Sequence, residues 1–451
     1  MSYGVDVIIK DVSSHPKCPH GSPTLLFERY TEKKTGSQKY FACSANRERK
    51  FCPFFQLADV NKKYVSNKRV NPDTIDVQLI KSHEKIYSGF KKLKKLNQSD
   101  RSYCHDCSCF VLSSELKNHK GHNIVNSLSA EVLSKPTNLL KPLTNSGSEA
   151  QFLFTAKVVQ FLINTTKNLN FTHVLCVGCP RIHEFIVNHP ETKLNSLLLD
   201  IDARYEHFYG STQFCHYNLF NHYFFRGDNS KDVYRNFMKC TGDDKILIML
   251  DPPFGGLTDV IAYTLKLISK DWFLVNGKTN TSHIISTFLI FPYFMERRII
   301  DTLSFSMLDY QVDYENHPLF KKGNQASKRL SPVRIFTNIS PASIPLPLEE
   351  NYRFCEICQR HVSSENKHCT ICNACTSKDG YPFIHCHMCN CCFKSTKRHC
   401  NICERCLPTD HTCGLQSSQG CHKCGDISHK RRQCPLQSDV IQSAKRKKIK
   451  K

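Results

Sequence analysis

Cysteine spacing constrains this chain more than any other feature. Twenty-six cysteines occur in 451 residues, crowded into residues 18–52, 104–109 and 355–434 and sparse between. In a small secreted chain that number would suggest disulfides. Here the C-x-x-C pairs with interspersed histidine point to tetrahedral zinc in a reducing compartment. The chain therefore reads as metal-stapled flanks around a central region that must build an ordinary hydrophobic core, and its length suggests about three domains.

At the N-terminus Cys18, His20, Cys43 and Cys52 offer three thiolates and one imidazole, with strand-like segments between them too thin to fold without metal. The segment resembles the GRF-type zinc finger, a binder of single-stranded nucleic acid. Tyr40, Phe54 and Phe55 either stack bases or fill the small core, while Arg47, Arg49 and Lys50 suit phosphates. Next, Cys104, Cys107, His119 and His122 form a C2H2-type set with a final gap one residue short. Standing directly before the central region, it is expected to brace structure more than to read bases.

From Cys355 a C-x-x-C…H-x6-C unit recurs and overlaps itself. Cys355, Cys358, His368 and Cys375 make one set; Cys369, Cys372, His385 and Cys392 a second; Cys386, Cys389, His399 and Cys406 a third. Cys400, Cys403, His411 and Cys413 close a fourth with a different last gap. The interleaving resembles the cysteine-rich region of DHHC-type palmitoyltransferases. Residues 383–386 read Phe-Ile-His-Cys, however, and Cys386 is already a ligand, so a structural rod or docking surface is expected. Cys421, Cys424, His429 and Cys434 have the full CCHC spacing of a zinc knuckle, a module that holds single-stranded RNA. Up to seven zinc ions are implied. Six cysteines are left over: Cys109, Cys176, Cys179, Cys215, Cys240 and Cys391.

Charge agrees with these modules. Sixty-two basic residues against 40 acidic give a formal net charge of +22, which calls for a polyanion, nucleic acid before an anionic membrane surface. Asp6, Lys10 and Asp11 interrupt any signal-peptide core, and the longest apolar run, residues 284–294, is too short to span a bilayer and contains Pro292. A soluble, intracellular chain is expected. The run at 445–451 reads as a nuclear import signal, a phosphate-binding arm or an inert solvated tail.

Between 145 and 338 apolar strands at 173–177, 196–201, 245–250 and 284–290, with another around 214–216, alternate with helical periodicity at 182–188, 233–239, 257–270 and 293–302. Continuous apolar strands separated by helices indicate an α/β domain with a mostly parallel sheet covered on both faces. Ligands bind such sheets beyond the carboxyl ends of the strands, where strand order reverses. One of those ends carries Asp251-Pro252-Pro253-Phe254.

That tetrapeptide resembles the Asp/Asn-Pro-Pro-aromatic signature of adenine amino-group methyltransferases. The resemblance implies a Rossmann-like class I methyltransferase domain with a seven-stranded sheet, S-adenosylmethionine as methyl donor, and Asp251, Pro252, Pro253 and Phe254 as the catalytic element. Asp251 and the Pro252 carbonyl would accept the amine hydrogens, the prolines would stiffen the loop, and Phe254 would stack on the base. Gln151, Phe152 and Thr155 resemble the segment that lies over the methionine part of the cofactor. Asp200, in preference to Asp202, would bind the ribose, and Asn218 the cofactor adenine. The glycine-rich loop is reduced to Gly178, with Arg181 placed to reach the cofactor carboxylate.

The full set of modules resembles the zinc-knuckle-containing rRNA adenine-N6 methyltransferases. It divides the chain into a GRF-type finger (1–62), a linker (63–100), a C2H2-type finger (101–125), the methyltransferase domain (126–342), the interleaved region (343–414), the knuckle (415–436) and a basic tail (437–451). It implies a structured RNA substrate, large-subunit rRNA, and a nuclear or nucleolar setting with the cytoplasm open; no protein partner is specified. Two alternatives stay open: N6 methylation in messenger or small nuclear RNA or in DNA, and a non-catalytic zinc-rich RNA-binding scaffold.

Overall fold

The architecture is that of a computed structural model describing residues 2–31, 37–46, 52–58, 82–143, 151–278, 283–317 and 330–413. The knuckle ligands Cys421, Cys424, His429 and Cys434, the tail, and Arg47, Arg49 and Lys50 lie outside the described residues. The chain forms two compact units, residues 1–75 with 412–451, and residues 76–411.

In the first unit, Ser2–Ile8, Leu25–Thr31, Ser37–Ala42 and Phe55–Leu57 form an antiparallel meander. Cys18, Cys43 and Cys52 are buried together with Phe54 against them. Phe54 therefore belongs to the small core. Tyr40 instead lies between Phe27 and Phe55 at 5.6 and 4.8 Å, a cross-strand aromatic row that stays partly exposed.

The second unit is organised by one sheet: β1 (His173–Val177), β2 (Asn195–Asp200), β3 (Phe214–Asn218), β4 (Ile246–Leu250), β5 (Thr287–Pro292), β6 (Ser306–Leu308) and β7 (Val333–Thr337). Strand order is β3-β2-β1-β4-β5-β7-β6; the first five are parallel, and β7 runs antiparallel to both neighbours. Among the described residues the sheet has eight strands, not seven. The extra one is the two-residue ribbon Tyr223–Phe224, turned back against β3 and too short to leave a periodic signal.

Period-two alternation divides the core between the two faces. Val174, Cys176, Leu247 and Met249 enter one apolar layer; Leu175, Val177, Ile246, Ile248 and Leu250 enter the other. Helices cover both faces because their apolar residues recur every three to four positions. Ala156–Asn168 and Pro180–Asn188 contribute Leu162 and Ile182 to the first layer, and Asp228–Met238 and Thr258–Val275 contribute Tyr234 and Ile261 to the second. Cys176, Cys179 and Cys215 are buried core residues.

Residues 82–100, read above as part of a linker, contain the helix His83–Lys94. Ser82 caps it by accepting from the Lys85 amide, and Ile86, Phe90 and Leu93 bury its inner face. The C2H2-type set packs against the same core: Tyr103 is fully buried, and Phe110 lies 5.4 Å from Phe90 and 5.1 Å from Phe208. That is the bracing role expected of it.

The cysteine-rich segment is a series of hairpins, Tyr352–Cys355 with Arg360–Ser363, His368–Cys369 with Ala374–Cys375, Phe383–Cys386 with Cys391–Lys394, and Lys397–Cys400 with Arg405–Pro408. Each turn passes through a left-handed residue directly after the second cysteine, namely Gln359, Asn373, Asn390 and Glu404, at φ of 50°, 49°, 49° and 51°. The first hairpin docks at edge strand β6. Arg360 donates to the Met307 carbonyl, and Asp309 accepts from the Ser363 amide and the Asn366 side chain.

Candidate active site

The strand order reverses between β1 and β4, and a cleft opens to solvent there. Gly178 follows β1, Asp200 ends β2 and Asp251 follows β4, so three strand ends form its floor. Gly178 has φ of +66°, and a Cβ there would stand 2.9 Å from the Asp251 carbonyl oxygen. The one glycine kept from the usual loop is thus required by both backbone conformation and close approach.

Asp251, Pro252, Pro253 and Phe254 all line the cleft. A 2.7 Å bond from the Gly256 amide to the Pro253 carbonyl tightens the turn after them. Among the described residues no backbone amide takes the Pro252 carbonyl. Burial raises the Asp251 carboxyl well above the usual carboxylate range; the Tyr314 hydroxyl, donating at 2.9 Å to Oδ1, opposes this, and the nearby Asp200 carboxyl adds to it. Phe152, Phe254 and Tyr314 face one another at 5.7 to 6.1 Å, giving an aromatic wall beside the acid.

The two acids after β2 are in different situations. Asp202 is held by Arg204 through contacts of 2.6 to 3.1 Å and also accepts from Gln151 at 3.2 Å. Asp200 accepts from the Asp202 and Ile201 amides, yet burial, with the Asp202 charge second, pushes it up to about 7. Among the described residues Arg204 is the one cation lining the cleft, and it is already paired. Two desolvated carboxyls without a free cation favour a positively charged ligand. The sulfonium and ammonium groups of S-adenosylmethionine match that electrostatic demand.

Gln151 and Phe152 form part of the lip. The Gln151 side chain accepts from the Leu143 amide, and Asn316 bonds both the Leu153 amide and the Gln151 carbonyl. The isolated bridge between Phe154 and Tyr314 joins the same two segments.

Five of the metal sets assemble as the spacing predicts. The first set, the C2H2-type set and three interleaved sets each bring four ligand atoms within 4.8 Å of one another. A tetrahedron with Zn–S bonds of about 2.3 Å separates its sulfurs by about 3.8 Å. Cys18 and Cys43 are 3.8 Å apart, Cys372 and Cys392 3.7 Å, and Cys389 and Cys406 3.8 Å. These donor sets fit zinc. His411 contacts Cys400, and its Nδ1 donates to the Pro408 carbonyl at 2.8 Å.

A family profile described as probable N6-adenine methyltransferase matches residues 145–338, which hold all three strand ends. The human protein named rRNA N(6)-adenosine-methyltransferase ZCCHC4 is 44% identical over 432 residues, 93% of this chain and 82% of its own length. The Xenopus tropicalis and Mus musculus proteins of that name are 40% and 42% identical, with 96% of this chain and 90% and 85% of theirs covered. The chain belongs to the ZCCHC4 family of N6-adenosine methyltransferases. Methyl transfer in this family depends on S-adenosylmethionine, and the cleft at the strand reversal is where a class I fold holds it.

Against that identity, three residues singled out from the sequence lie outside the ZCCHC4-family cleft lining. Thr155 caps the helix Ala156–Asn168. Arg181 is spent on the Phe154 carbonyl, Asn138 and Glu315, which fixes the lip and leaves the guanidinium no free face for a cofactor carboxylate. Asn218 is buried and accepts from the Phe220 amide, capping the turn after β3. Sequence reasoning missed Thr137, Ile201, Tyr205 and Tyr314, all of which line the cleft. None sits in a motif, and only the folded topology brings them there. Ile201, directly after Asp200 at the strand end, is left 45% exposed.

Proposed function

We propose that this chain transfers a methyl group from S-adenosylmethionine to the exocyclic amine of an adenosine in structured large-subunit rRNA. The observation that carries the chemistry is the convergence of Asp251, the Pro252 carbonyl and an aromatic wall at one corner of the cleft. The named activity of the relatives supports the rRNA substrate. A net charge of +22 and the CCHC spacing at 421–434 support an RNA partner. A nuclear or nucleolar setting accords with that substrate and with the basic run at 445–451.

Bound S-adenosylmethionine supplies an activated methyl group. What this chain must supply is a nucleophile, because the adenine amine shares its lone pair with the ring. Asp251 and the Pro252 carbonyl accept one amine hydrogen each, which turns the lone pair out of the ring plane. Pro252 and Pro253 remove amide donors that would compete and hold both acceptors in place before the base arrives. Phe254 and Phe152 offer faces for a base swung out of its stack. The nitrogen loses a proton after transfer, and Asp251, raised by burial, is the adjacent acceptor for it.

The test is incubation of purified protein with labelled S-adenosylmethionine and total RNA from cells lacking it. Label on large rRNA is expected, and Asp251→Ala should lower turnover at least a hundredfold while RNA binding persists. Label confined to messenger or small RNA would move the substrate, and equal loss of binding and turnover would make Asp251 structural.

A further inference from the structure

We propose that Tyr314 is the positioning residue of the reaction: its hydroxyl clamps one oxygen of Asp251 so that the other faces the base as an ionised acceptor. This rests on the reading of Asp251 as the amine acceptor. Tyr314 lies 63 residues from Asp251 in sequence and donates to Oδ1 at 2.9 Å. Its ring is 3% exposed, wedged between Phe154 at 5.3 Å and the Phe152–Phe254 pair, so the hydroxyl has one fixed direction.

The need for such a clamp follows from the surroundings of the acid. Asp251 meets the Asp200 carboxyl from the β2 end, the Cys179 thiol after β1, and Tyr314. Cys179 is buried and held in its protonated form, with the neighbouring Asp251 charge adding to that effect. Asp200 repels a second negative charge. Tyr314 is therefore the only one of the three that favours carboxylate. Without it the buried acid would keep its proton to higher pH and present a donor where the amine hydrogens require an acceptor. Tyr314 itself stays neutral, since burial and then the Asp251 charge push its own ionisation well above the ordinary tyrosine range. It serves as a fixed donor and takes no part in proton removal.

Asp251 acts as carboxylate, so activity rises with pH through its ionisation. Losing the Tyr314 donor raises that ionisation, so the acid limb of kcat/KM moves to higher pH. Tyr314→Phe keeps the ring packing and removes only the hydroxyl. The full-length chain carrying it should turn over ten- to a hundredfold more slowly at neutral pH. The acid limb should move up by a unit or more, activity should return toward the parent value in alkali, and KM for S-adenosylmethionine should change less than threefold. A merely structural role would lower activity equally at every pH, and that result would overturn the proposal.

Asp251→Asn supplies a second reading that does not depend on Tyr314→Phe folding. An amide oxygen needs no ionisation, so this variant should lose the acid limb, and adding Tyr314→Phe should cost it under threefold. An unchanged acid limb in Asp251→Asn would assign the titration to another group and overturn the clamp. Full activity of both Asp251→Ala and Asp251→Asn across the pH range would instead remove Asp251 from the reaction, a failure of the underlying reading.

Discussion

The central sheet and the interleaved hairpins belong to one compact unit, yet they are held together by opposite means. In the sheet, β1 and β4 are buried along both faces, and each strand gains stability from the apolar area it removes from water. In the hairpins, Ile357, Ile371, Met388 and Ile402 are 55 to 77% exposed, one at the tip of each knuckle. Little apolar burial is left to hold those turns, and the ligand sets must do it. Rigidity therefore has two sources: a strand is fixed by its neighbours, a knuckle by its ion.

The most severe way to sharpen that contrast is to remove the metal. Chelation of the purified chain should expose residues 352–408 to proteolysis, while a fragment containing the sheet stays protected. Simultaneous loss of both in limited digestion would show that the hairpins are not separately dependent on zinc. A smaller but still large effect should come from Gly178→Ala. The new methyl group meets the Asp251 carbonyl at 2.9 Å and takes on an unfavourable φ, so the Asp251 loop must shift. Cofactor affinity and turnover should fall at least tenfold with zinc content unchanged, as read by titration calorimetry and metal analysis. Unaltered affinity would mean that the loop absorbs the methyl group without loss.

The mildest test addresses the seam between the two regions. Asp309 accepts from Ser363 and Asn366 and lies 4.0 Å from Arg360. Asn366 keeps a second acceptor in the Ser377 carbonyl, so Asp309→Ala removes only part of the network. Its cost should be about 1–3 kcal/mol. Thermal unfolding would show it, with catalysis at low temperature little changed. A large loss of turnover at full occupancy would mean that the seam reaches the cleft.

Legibility from sequence follows the same division. Metal ligands are fixed by spacing, and five of the sets assembled among the described residues were readable before any fold was known. Strand β1 was readable to the residue because a continuous apolar run bounded by Gly178 leaves little choice. Strands β6 and β7 and the helix His83–Lys94 were not foreseen. The first is three residues long, and the helix is so rich in lysine that its inner stripe of Ile86, Phe90 and Leu93 is easily passed over. In the site, the tetrapeptide carried its own signature, whereas Tyr314 has none, since its partner is set by how β6 and β7 leave the sheet. Arg181 shows the opposite error. A cation at the right position in sequence was already engaged by the Phe154 carbonyl and Glu315.

The hairpin register gives the metal sets a direction. His368 faces Cys375, His385 faces Cys392, and His399 faces Cys406 across their strands, and each pair completes the knuckle of the hairpin before it. No knuckle can close until residues further along the chain have been made. During synthesis the array therefore ratchets shut from the catalytic end outward, each ion locking a finished loop to the one just emerging.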